Sequence, residues 1–190
     1  MRVTGGVLLN RRVECPPGII RPAMDRMRES LFSILNSRNL IKDAVFLDLF
    51  AGSGIMSIEA SSRGAKHVTL VEKDYGKKAV IQKNLALTDE TGVSYNLHLK
   101  DVFKFIENYS GEQYTIIYAD PPFPLKGKET LLNLIDENEN LLCRDGMFIV
   151  HIPYEERKLW KETSDSGRMK LVDTRLYGRS VLLFYKLFVI

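Results

Sequence analysis

The amino-acid sequence predicts an α/β fold with a mostly parallel sheet that ends in an antiparallel hairpin. From residue 45 onward, short apolar runs typical of buried strands alternate with segments of helical periodicity, which is the pattern of βαβ units. Two β-rich runs at 169–177 and 180–189 are separated by a short turn at Gly178, and this predicts a hairpin at or near an edge of the sheet. The 190 residues, 45% hydrophobic and 27% charged, are expected to form one globular domain.

The N-terminal quarter of the chain precedes this alternating pattern. Gly5-Gly6 predicts a turn, and the apolar residues 7–9 after it predict a short strand. Pro22 suits the first turn of a helix, and the spacing of the apolar residues that follow predicts an amphipathic helix over 22–38, with Arg26 and Arg28 off its apolar face. Within the one domain, 1–190, we therefore expect three stretches: a small β extension (1–20), a basic helix (21–42) and an α/β core (43–190).

The elements of the core follow from the same periodicities. VFLDLF, HVTLVE and YTIIYA are apolar runs of strand length, and each is followed by turn or helix signals. The expected strands before the hairpin are 45–50, 67–72, 93–100, 114–119 and 146–152. The expected helices are 55–63, 75–88, 102–108 and 127–142.

Composition and charge limit the classes of function. No apolar run approaches the roughly 20 residues that span a bilayer, and the N-terminus lacks a signal-peptide core, so we expect a cytoplasmic protein without a membrane partner. Cys15 and Cys143 form no CxxC pair and no metal-ligand spacing with the histidines, so no metal site is expected. Residues 1–42 hold eight basic and three acidic residues, 8 − 3 = +5, against +3 for the whole chain. This surplus suits either an anionic partner or a solvated basic surface.

A glycine loop follows the first strand of the core. The run at 45–50 leads directly into AGSG at 51–54, where Gly52 and Gly54 allow a tight turn and a close approach of a ligand to the backbone. A helix N-terminus with free N–H groups comes next. By itself such a loop is equally consistent with a simple turn between a strand and a helix.

Acidic residues at the ends of neighbouring strands narrow this interpretation. Glu72 ends the second core strand, 18 residues after Gly54, where an acid can accept hydrogen bonds from both hydroxyls of a ribose. Asp101 ends the third and can reach the exocyclic amine of an adenine. Asp48 lies inside the first strand, where a carboxylate would repel a pyrophosphate and favour a positively charged ligand. S-adenosylmethionine, with an ammonium and a sulfonium, therefore fits this pocket better than a dinucleotide.

The stretch YADPPF at 118–123 indicates how the acceptor of the methyl group, an exocyclic amine of a base, would be bound. Asp120 offers a carboxylate, and Pro121 offers a carbonyl on a backbone that two prolines make rigid. Both can accept hydrogen bonds from an exocyclic amine and support the positive charge that develops during transfer. Phe123 offers a face on which a base can stack. The alternative is a strand end followed by an ordinary Pro-Pro turn.

These segments together resemble a known class of enzymes. DLFAGSG (48–54), Glu72, Asp101 and DPPF (120–123) resemble class I S-adenosylmethionine-dependent methyltransferases that modify exocyclic amines. Three further segments narrow the resemblance to the bacterial 16S rRNA (guanine-N2)-methyltransferase family: Gly5-Gly6, RPAMDRMRESLF (21–32) and YGRSVLLFY (177–185). The resemblance covers nearly the whole chain.

The resemblance implies a fold, a cofactor and sets of site residues. The fold would be Rossmann-like, with a seven-stranded, mostly parallel sheet, an antiparallel C-terminal hairpin and a small N-terminal β extension. The cofactor would be S-adenosyl-L-methionine, bound by Asp48, Phe50, Ala51, Gly52, Ser53, Gly54, Glu72, Lys73, Asp101 and Val102. The target guanine would be held by Asp120, Pro121, Pro122 and Phe123. RNA would be bound by Arg11, Arg21, Arg26 and Arg28. The expected partner is 16S rRNA, either naked or within an assembled small-subunit particle; the thin N-terminal extension favours recognition of a preformed RNA–protein shape. The protein is expected to act as a monomer.

Other functions remain open at this point. A DNA adenine-N6 enzyme or an enzyme for another RNA base would bind its target amine through the same residues, 120–123, which we call the acceptor cradle. DNA enzymes, however, usually carry DPPY and a separate target-recognition region. Protein-glutamine enzymes usually carry NPPY. A non-catalytic RNA-binding module would be expected to have a broken glycine loop or cradle, and a dinucleotide oxidoreductase to have a third glycine.

Overall fold

A seven-stranded mixed sheet forms the centre of the protein in the computed structural model, which describes residues 1–15 and 22–188. The strands lie side by side in the order β3-β2-β1-β4-β5-β7-β6. Their bounds are β1 Val45–Leu49, β2 His67–Glu72, β3 Ser94–Leu99, β4 Tyr114–Ala119, β5 Leu142–Pro153, β6 Met169–Tyr177 and β7 Ser180–Leu187. Strands β1 to β5 pair in parallel, whereas β7 pairs antiparallel with both β5 and β6. The predicted parallel sheet and C-terminal hairpin are therefore confirmed.

Helices cover both faces of the sheet, because alternate residues of each buried strand point to opposite sides. The helices are α1 Pro22–Ser37, α2 Ile55–Ser62, α3 Lys78–Leu85, α4 Val102–Glu107 and α5 Leu131–Glu137. Phe46, Ile116 and Tyr118 belong to the core under α1, α2 and α3. Leu47 and Ile117 belong to the opposite core under α4 and α5.

Two helix predictions are wrong in extent. The helix expected over 127–142 ends at Glu137, because Asn138 turns into an extended conformation and its side chain donates to the carbonyls of Ile106 and Tyr109. The chain then enters β5 at Leu142. The helix expected over 75–88 is divided into a 3₁₀ turn, α3 and a second 3₁₀ turn.

The strand predicted at residues 7–9 is also wrong. This segment forms a turn, and Val7 N–H donates to the carbonyl of Ser62 at the end of α2 (2.9 Å) instead of to a strand. In the described part of the N-terminal extension, residues 1–15, the β character is an antiparallel bridge between Arg2 and Arg12. Gly6 allows this contact, because it has φ +77° and an added Cβ would lie 1.9 Å from the Ser62 oxygen. The extension thereby closes the C-terminal end of α2.

The expected division into a β extension (1–20), a basic helix (21–42) and an α/β core (43–190) remains a prediction. Within the described residues, no helix is long and apolar enough to cross a membrane.

Candidate active site

Four carboxylates line the edge of the sheet where the parallel strands β1 to β4 end. Asp48 lies within β1 and Glu72 ends β2. Asp101 follows β3 as the residue that caps α4, and Asp120 follows β4 directly. Parallel strands bring their carboxyl ends to the same edge, so the structure collects on one rim the four acids that the sequence distributes over 73 positions.

The glycine loop after β1 is tightly bent and tied to the neighbouring strand. Phe50, Gly52 and Gly54 all have positive φ, at 62°, 59° and 79°. For Phe50 this conformation is strained, and such strain is concentrated at functional sites. The N–H of Gly52 donates to the Glu72 carboxylate at 2.9 Å, which holds the loop against β2. A Cβ built on Gly52 would meet no atom nearer than 3.9 Å, so the space beside the loop is open to a ligand.

Asn84 of α3 fixes the outer side of the loop. Its amide group donates to the carbonyls of Ser53 (2.9 Å) and Glu14 (2.8 Å), and its own carbonyl accepts from the N–H of Glu14. Ala51 is held by a hydrogen bond from its N–H to the carbonyl of Val71. An isolated asparagine in a helix carries no sequence signal for this role, which depends on the docking of the N-terminal extension.

Asp48 is buried, with only 1% of its surface exposed. Its Oδ2 accepts hydrogen bonds from the Ser57 hydroxyl (2.9 Å) and the Ser57 N–H (3.2 Å). Burial, with a smaller contribution from the negative charges of Asp120 and Glu72, raises the pKa of Asp48 to about 8 in spite of these bonds. A cationic ligand beside this carboxyl would favour its charged form.

The Asp101 carboxylate caps α4 and has a different electrostatic environment. Burial alone would raise its pKa, but hydrogen bonds from the Lys104 and Phe103 N–H groups and from Lys73 outweigh burial and hold the pKa below its ordinary value. The Lys73 ammonium lies 3.3 Å from Asp101 Oδ2 and is itself exposed. Val102 is buried as the first residue of α4. Asp101 is therefore an ionised acceptor at the rim.

A cavity of about 150 Å³ lies between the glycine loop and the end of β4. It is lined by Met1, Met27, Arg28, Asp48, Phe50, Ala51, Gly52, Ser53, Ile55, Met56, Tyr118 and Asp120. The cavity therefore joins most of the residues predicted for the methionine end of the cofactor to the first residue of the predicted acceptor cradle.

The loop after β4 presents the cradle. Pro121 is buried, whereas Pro122 and Phe123 are exposed, Phe123 by 42%. Lys128, which is buried, holds the loop from below: its ammonium donates to the carbonyl of Phe123 (3.0 Å) and pairs with the Glu156 carboxylate at 2.6 Å. The sequence contains no signal for this role of Lys128, because its partner, Glu156, comes from the segment that follows β5.

His151 is a second site residue that was missed in the sequence analysis. Its Nδ1 lies 2.9 Å from Oδ1 of Asp120, and its side chain is 3% exposed. It stands on β5 at the position next to Asp120, since Ala119 of β4 is paired with Val150 of β5. Only the register of two strands that lie far apart in sequence reveals this contact.

The arginines predicted to bind RNA differ in placement. Arg26 is exposed on α1, and Arg11 is half-exposed and paired with Glu90. Arg21 lies outside the described residues. Arg28 was expected to lie off the packed face of its helix, and this is wrong, because the residue is only 2% exposed.

The guanidinium of Arg28 is occupied by contacts within the protein. Nε donates to the buried Glu59 carboxylate (2.8 Å), Nη1 to Asp25 (2.9 Å) and Nη2 to the carbonyl of Arg2 (2.8 Å). Glu59 also accepts from Thr4 N–H and pairs with Arg63. Arg28 therefore joins the N-terminal extension to α2 and forms part of the cavity wall.

The acidic side chains of the rim fit S-adenosylmethionine. A pyrophosphate would meet four carboxylates, two of them buried, whereas an ammonium and a sulfonium would relieve the repulsion that helps to raise the pKa of Asp48. Glu72 has Oε1 bonded to the Asp74 N–H and Oε2 to Gly52, so it is oriented at the end of β2. Among the described residues, no group of three or more His, Cys, Asp or Glu side chains could hold a metal ion.

Comparisons with known proteins agree with the fold and the site. Residues 1–186 match the family model described as "Conserved hypothetical protein 95". The chain is 37% identical over 140 residues to "Ribosomal RNA small subunit methyltransferase D" of Escherichia coli (strain K12), which covers 73% of this chain and 68% of that protein. It is 33% identical over 192 residues to "Putative rRNA methyltransferase YlbH" of Bacillus subtilis (strain 168), over 98% of both chains. A solved structure titled "Putative methyltransferase yhhF from Escherichia coli" superposes with a TM-score of 0.83 at 27% identity, over 100% of this chain and 99% of that one.

The strand order, the glycine loop and the row of carboxylates define a Rossmann-like class I methyltransferase with S-adenosylmethionine as its cofactor. The chain belongs to the family of conserved hypothetical protein 95. The family resemblance read from the sequence is thereby confirmed.

Proposed function

We propose that this protein methylates the exocyclic N2 amine of one guanine in small-subunit (16S) ribosomal RNA, using S-adenosylmethionine. The observation that carries the chemistry is the position of Asp120, directly before the Pro-Pro-Phe segment, in the wall of the cavity that Asp48 and the glycine loop also line. Support for the substrate comes from relatives whose names specify ribosomal RNA and, at 37% identity, its small subunit.

Different residues of the rim would bind different parts of the cofactor. Asp48 and residues 50–54 would surround the methionine end, Glu72 would accept from the ribose hydroxyls, and Asp101 with Val102 would meet the adenine. When bound, S-adenosylmethionine supplies an electrophilic methyl group, and its sulfur keeps the bonding electron pair when that group leaves.

The acceptor loop compensates for a weak nucleophile. The lone pair of an exocyclic amine is partly delocalised into the ring, so the nitrogen must be oriented and its developing positive charge supported. The Asp120 carboxylate and the Pro121 carbonyl would accept the two N–H bonds of the amine, while Phe123 stacks on the base. The nitrogen forms the new bond with its lone pair and then loses one proton to water. Asp120 acts by orientation and charge, and no general base is required.

RNA recognition would use shape more than sequence. The extension before α1 is thin, and the exposed Arg26 with the half-exposed Arg11 can meet phosphates, which position an RNA without reading its bases. The target nucleotide would have to leave its stack to reach the cavity. We therefore propose an assembled small-subunit particle as the substrate and a monomer as the active form.

The experiment that tests this function is transfer of labelled methyl groups to RNA, followed by digestion to nucleosides. Naked 16S rRNA and small-subunit particles that lack the modification are offered in parallel, with a DNA duplex as a third substrate. Label in N2-methylguanosine from the particle supports the proposal in full. Label in another nucleoside, or in DNA, shows that the protein is a methyltransferase but refutes guanine N2 of rRNA as the acceptor. Cofactor binding without label in any of the three substrates refutes the rRNA assignment.

A further inference from the structure

His151 is a polar residue in an apolar position of the sheet. It lies on β5 between β4 and β7, is paired with Leu182, and has apolar neighbours in Val150 and Ile152 along its own strand. Its side chain is 3% exposed. Burying a polar ring costs free energy unless its nitrogens form hydrogen bonds, so an apolar residue would serve packing better at this position.

The imidazole makes one hydrogen bond, to the predicted acceptor-binding residue. Nδ1 lies 2.9 Å from Oδ1 of Asp120, whereas Nε2 is buried and has no hydrogen-bond partner among the described residues. A carboxylate oxygen can only accept, so Nδ1 must carry the proton that is shared. An N–H at Nε2 would be buried without an acceptor, which is rarer than an unsatisfied lone pair. The geometry therefore assigns the tautomer with Nδ1–H and an unprotonated Nε2.

We propose that His151 is a positioning residue for methyl transfer. It occupies Oδ1 of Asp120 and holds the carboxylate in one orientation, so that Oδ2 is left to accept from the amine. This role rests on the proposed function, in which Asp120 binds the acceptor. His151 acts through Asp120 and does not touch the substrate, because its side chain lies almost completely below the surface.

The position of Asp120 explains why it needs such support. Its side chain is 27% exposed, and although its N–H donates to the carbonyl of Leu49 at the end of β1 (3.3 Å), this backbone bond does not fix rotation of the carboxylate. A single charge-assisted hydrogen bond from a rigid strand removes this freedom before the substrate arrives. Misplacement of an acceptor by about 1 Å can cost on the order of 100-fold in rate.

The first part of the test is spectroscopic and independent of activity. The chain has three histidines, so ¹⁵N-labelled imidazole signals can be assigned by substitution of each one. We expect His151 to show the Nδ1–H tautomer in the unmodified protein, and this signal to change in Asp120→Ala. An Nε2–H tautomer, or a signal that does not respond to Asp120→Ala, overturns the positioning role whatever the activity.

The second part compares three substitutions in single-turnover methyl transfer to the RNA substrate. His151→Asn keeps a donor near Nδ1, and we expect its rate to stay within about fivefold of the unmodified protein. His151→Leu and His151→Gln do not place a donor there, and we expect their rates to fall by roughly 10- to 100-fold. The dissociation constant of S-adenosylmethionine should stay within about twofold in all three, which also shows that each variant is folded.

A double substitution separates positioning from structural damage. If His151 acts through Asp120, then His151→Leu should add nothing to the loss already caused by Asp120→Ala. His67→Asn is the matched control: His67 begins β2, at the opposite end of the strand from Glu72, and should leave the rate unchanged.

Each result has a defined meaning. Equal losses in His151→Asn and His151→Leu, or additive losses in the double variant, overturn the proposal in favour of a packing role. An unmodified protein that methylates no RNA overturns the proposed function, and the tautomer then still decides whether His151 fixes the Asp120 carboxylate.

Discussion

Substitution of Asp48 by Asn should stabilise the protein in alkaline solution and weaken its hold on the cofactor. Burial raises the pKa of Asp48 from an ordinary 3.8 to about 8. Between these values the folded chain retains a proton that the unfolded chain gives up, so the free energy of unfolding falls as the pH rises through this window and levels off above it. Asn cannot ionise, so this contribution to the pH dependence should disappear in the variant.

The size of the effect follows from the two pKa values. The interval from 3.8 to about 8, at about 1.36 kcal/mol per pH unit, sets an upper limit of about 6 kcal/mol. Relaxation and water entry around the ionised carboxylate reduce this penalty. The carbonyl oxygen of Asn can keep both hydrogen bonds from Ser57, but the amide NH2 that replaces Oδ1 needs an acceptor, which lowers the gain. We therefore expect Asp48→Asn to be more stable than the unmodified protein by roughly 1–3 kcal/mol at pH 9.

The assay is urea unfolding at pH 6, 7, 8 and 9, followed by circular dichroism. Asp89→Asn is the control, because Asp89 is exposed and the change should shift stability by less than about 0.5 kcal/mol at every pH. In parallel, calorimetry should show that the affinity for S-adenosylmethionine rises with pH in the unmodified protein, by at most about tenfold per pH unit. The Asn variant should bind at least about tenfold more weakly at pH 9.

Two results would refute this reasoning. An unmodified protein with constant stability from pH 6 to 9, or an Asn variant with the same slope, means that Asp48 is ionised throughout and the burial argument is wrong. Unchanged cofactor affinity in a variant of altered pH stability means instead that Asp48 does not meet the cationic end of the ligand.

Five further substitutions test the rest of the site and the packing around it. Asp120→Ala should lower the single-turnover rate of transfer by roughly 100- to 1,000-fold while the cofactor affinity changes by less than about tenfold, and a larger loss of affinity in calorimetry would contradict the division of roles. Lys128→Met should lower the transfer rate and raise the KM for RNA without changing cofactor affinity, because it removes the hydrogen bond from Lys128 to the carbonyl of Phe123. A variant with the same rate and KM as the unmodified protein would show that other contacts hold the loop. Arg28→Ala should destabilise the protein by about 2–3 kcal/mol, because the buried Glu59 carboxylate loses one of its two arginine partners and the Arg2 carbonyl loses its donor, whereas Arg26→Ala should leave unfolding unchanged and reduce the salt dependence of RNA binding by about one phosphate contact. Gly6→Ala should cost about 2–4 kcal/mol, because its Cβ would overlap a backbone oxygen at 1.9 Å; chemical denaturation measures this cost, and a change below about 0.5 kcal/mol would contradict it.

Local sequence patterns specify those parts of the protein that depend on neighbours along the chain. Strands such as β2 and β4 were predicted with the bounds that the structure has, because an apolar run between turn signals is a local pattern. The acids of the rim were predicted for the same reason: Glu72 and Asp120 adjoin strand ends, and parallel strands must bring their carboxyl ends together. Errors arose where a distant segment decides the local conformation. Residues 7–9 form a turn because the C-terminal end of α2 supplies the acceptor for the Val7 N–H. The helix before β5 ends early because the Asn138 side chain donates to carbonyls at the end of α4 and just after it.

The tertiary structure alone decided which side chains support the site. His151 meets Asp120 through a register between β4 and β5, Lys128 meets Glu156 across two loops, and Arg28 is buried because the N-terminal extension lies over it. None of these contacts has a period or a fixed spacing in the sequence, since each joins residues 28 or more positions apart or depends on docking of the extension. The chemistry of the rim is therefore encoded locally, whereas its orientation depends on long-range packing, which only the folded chain defines.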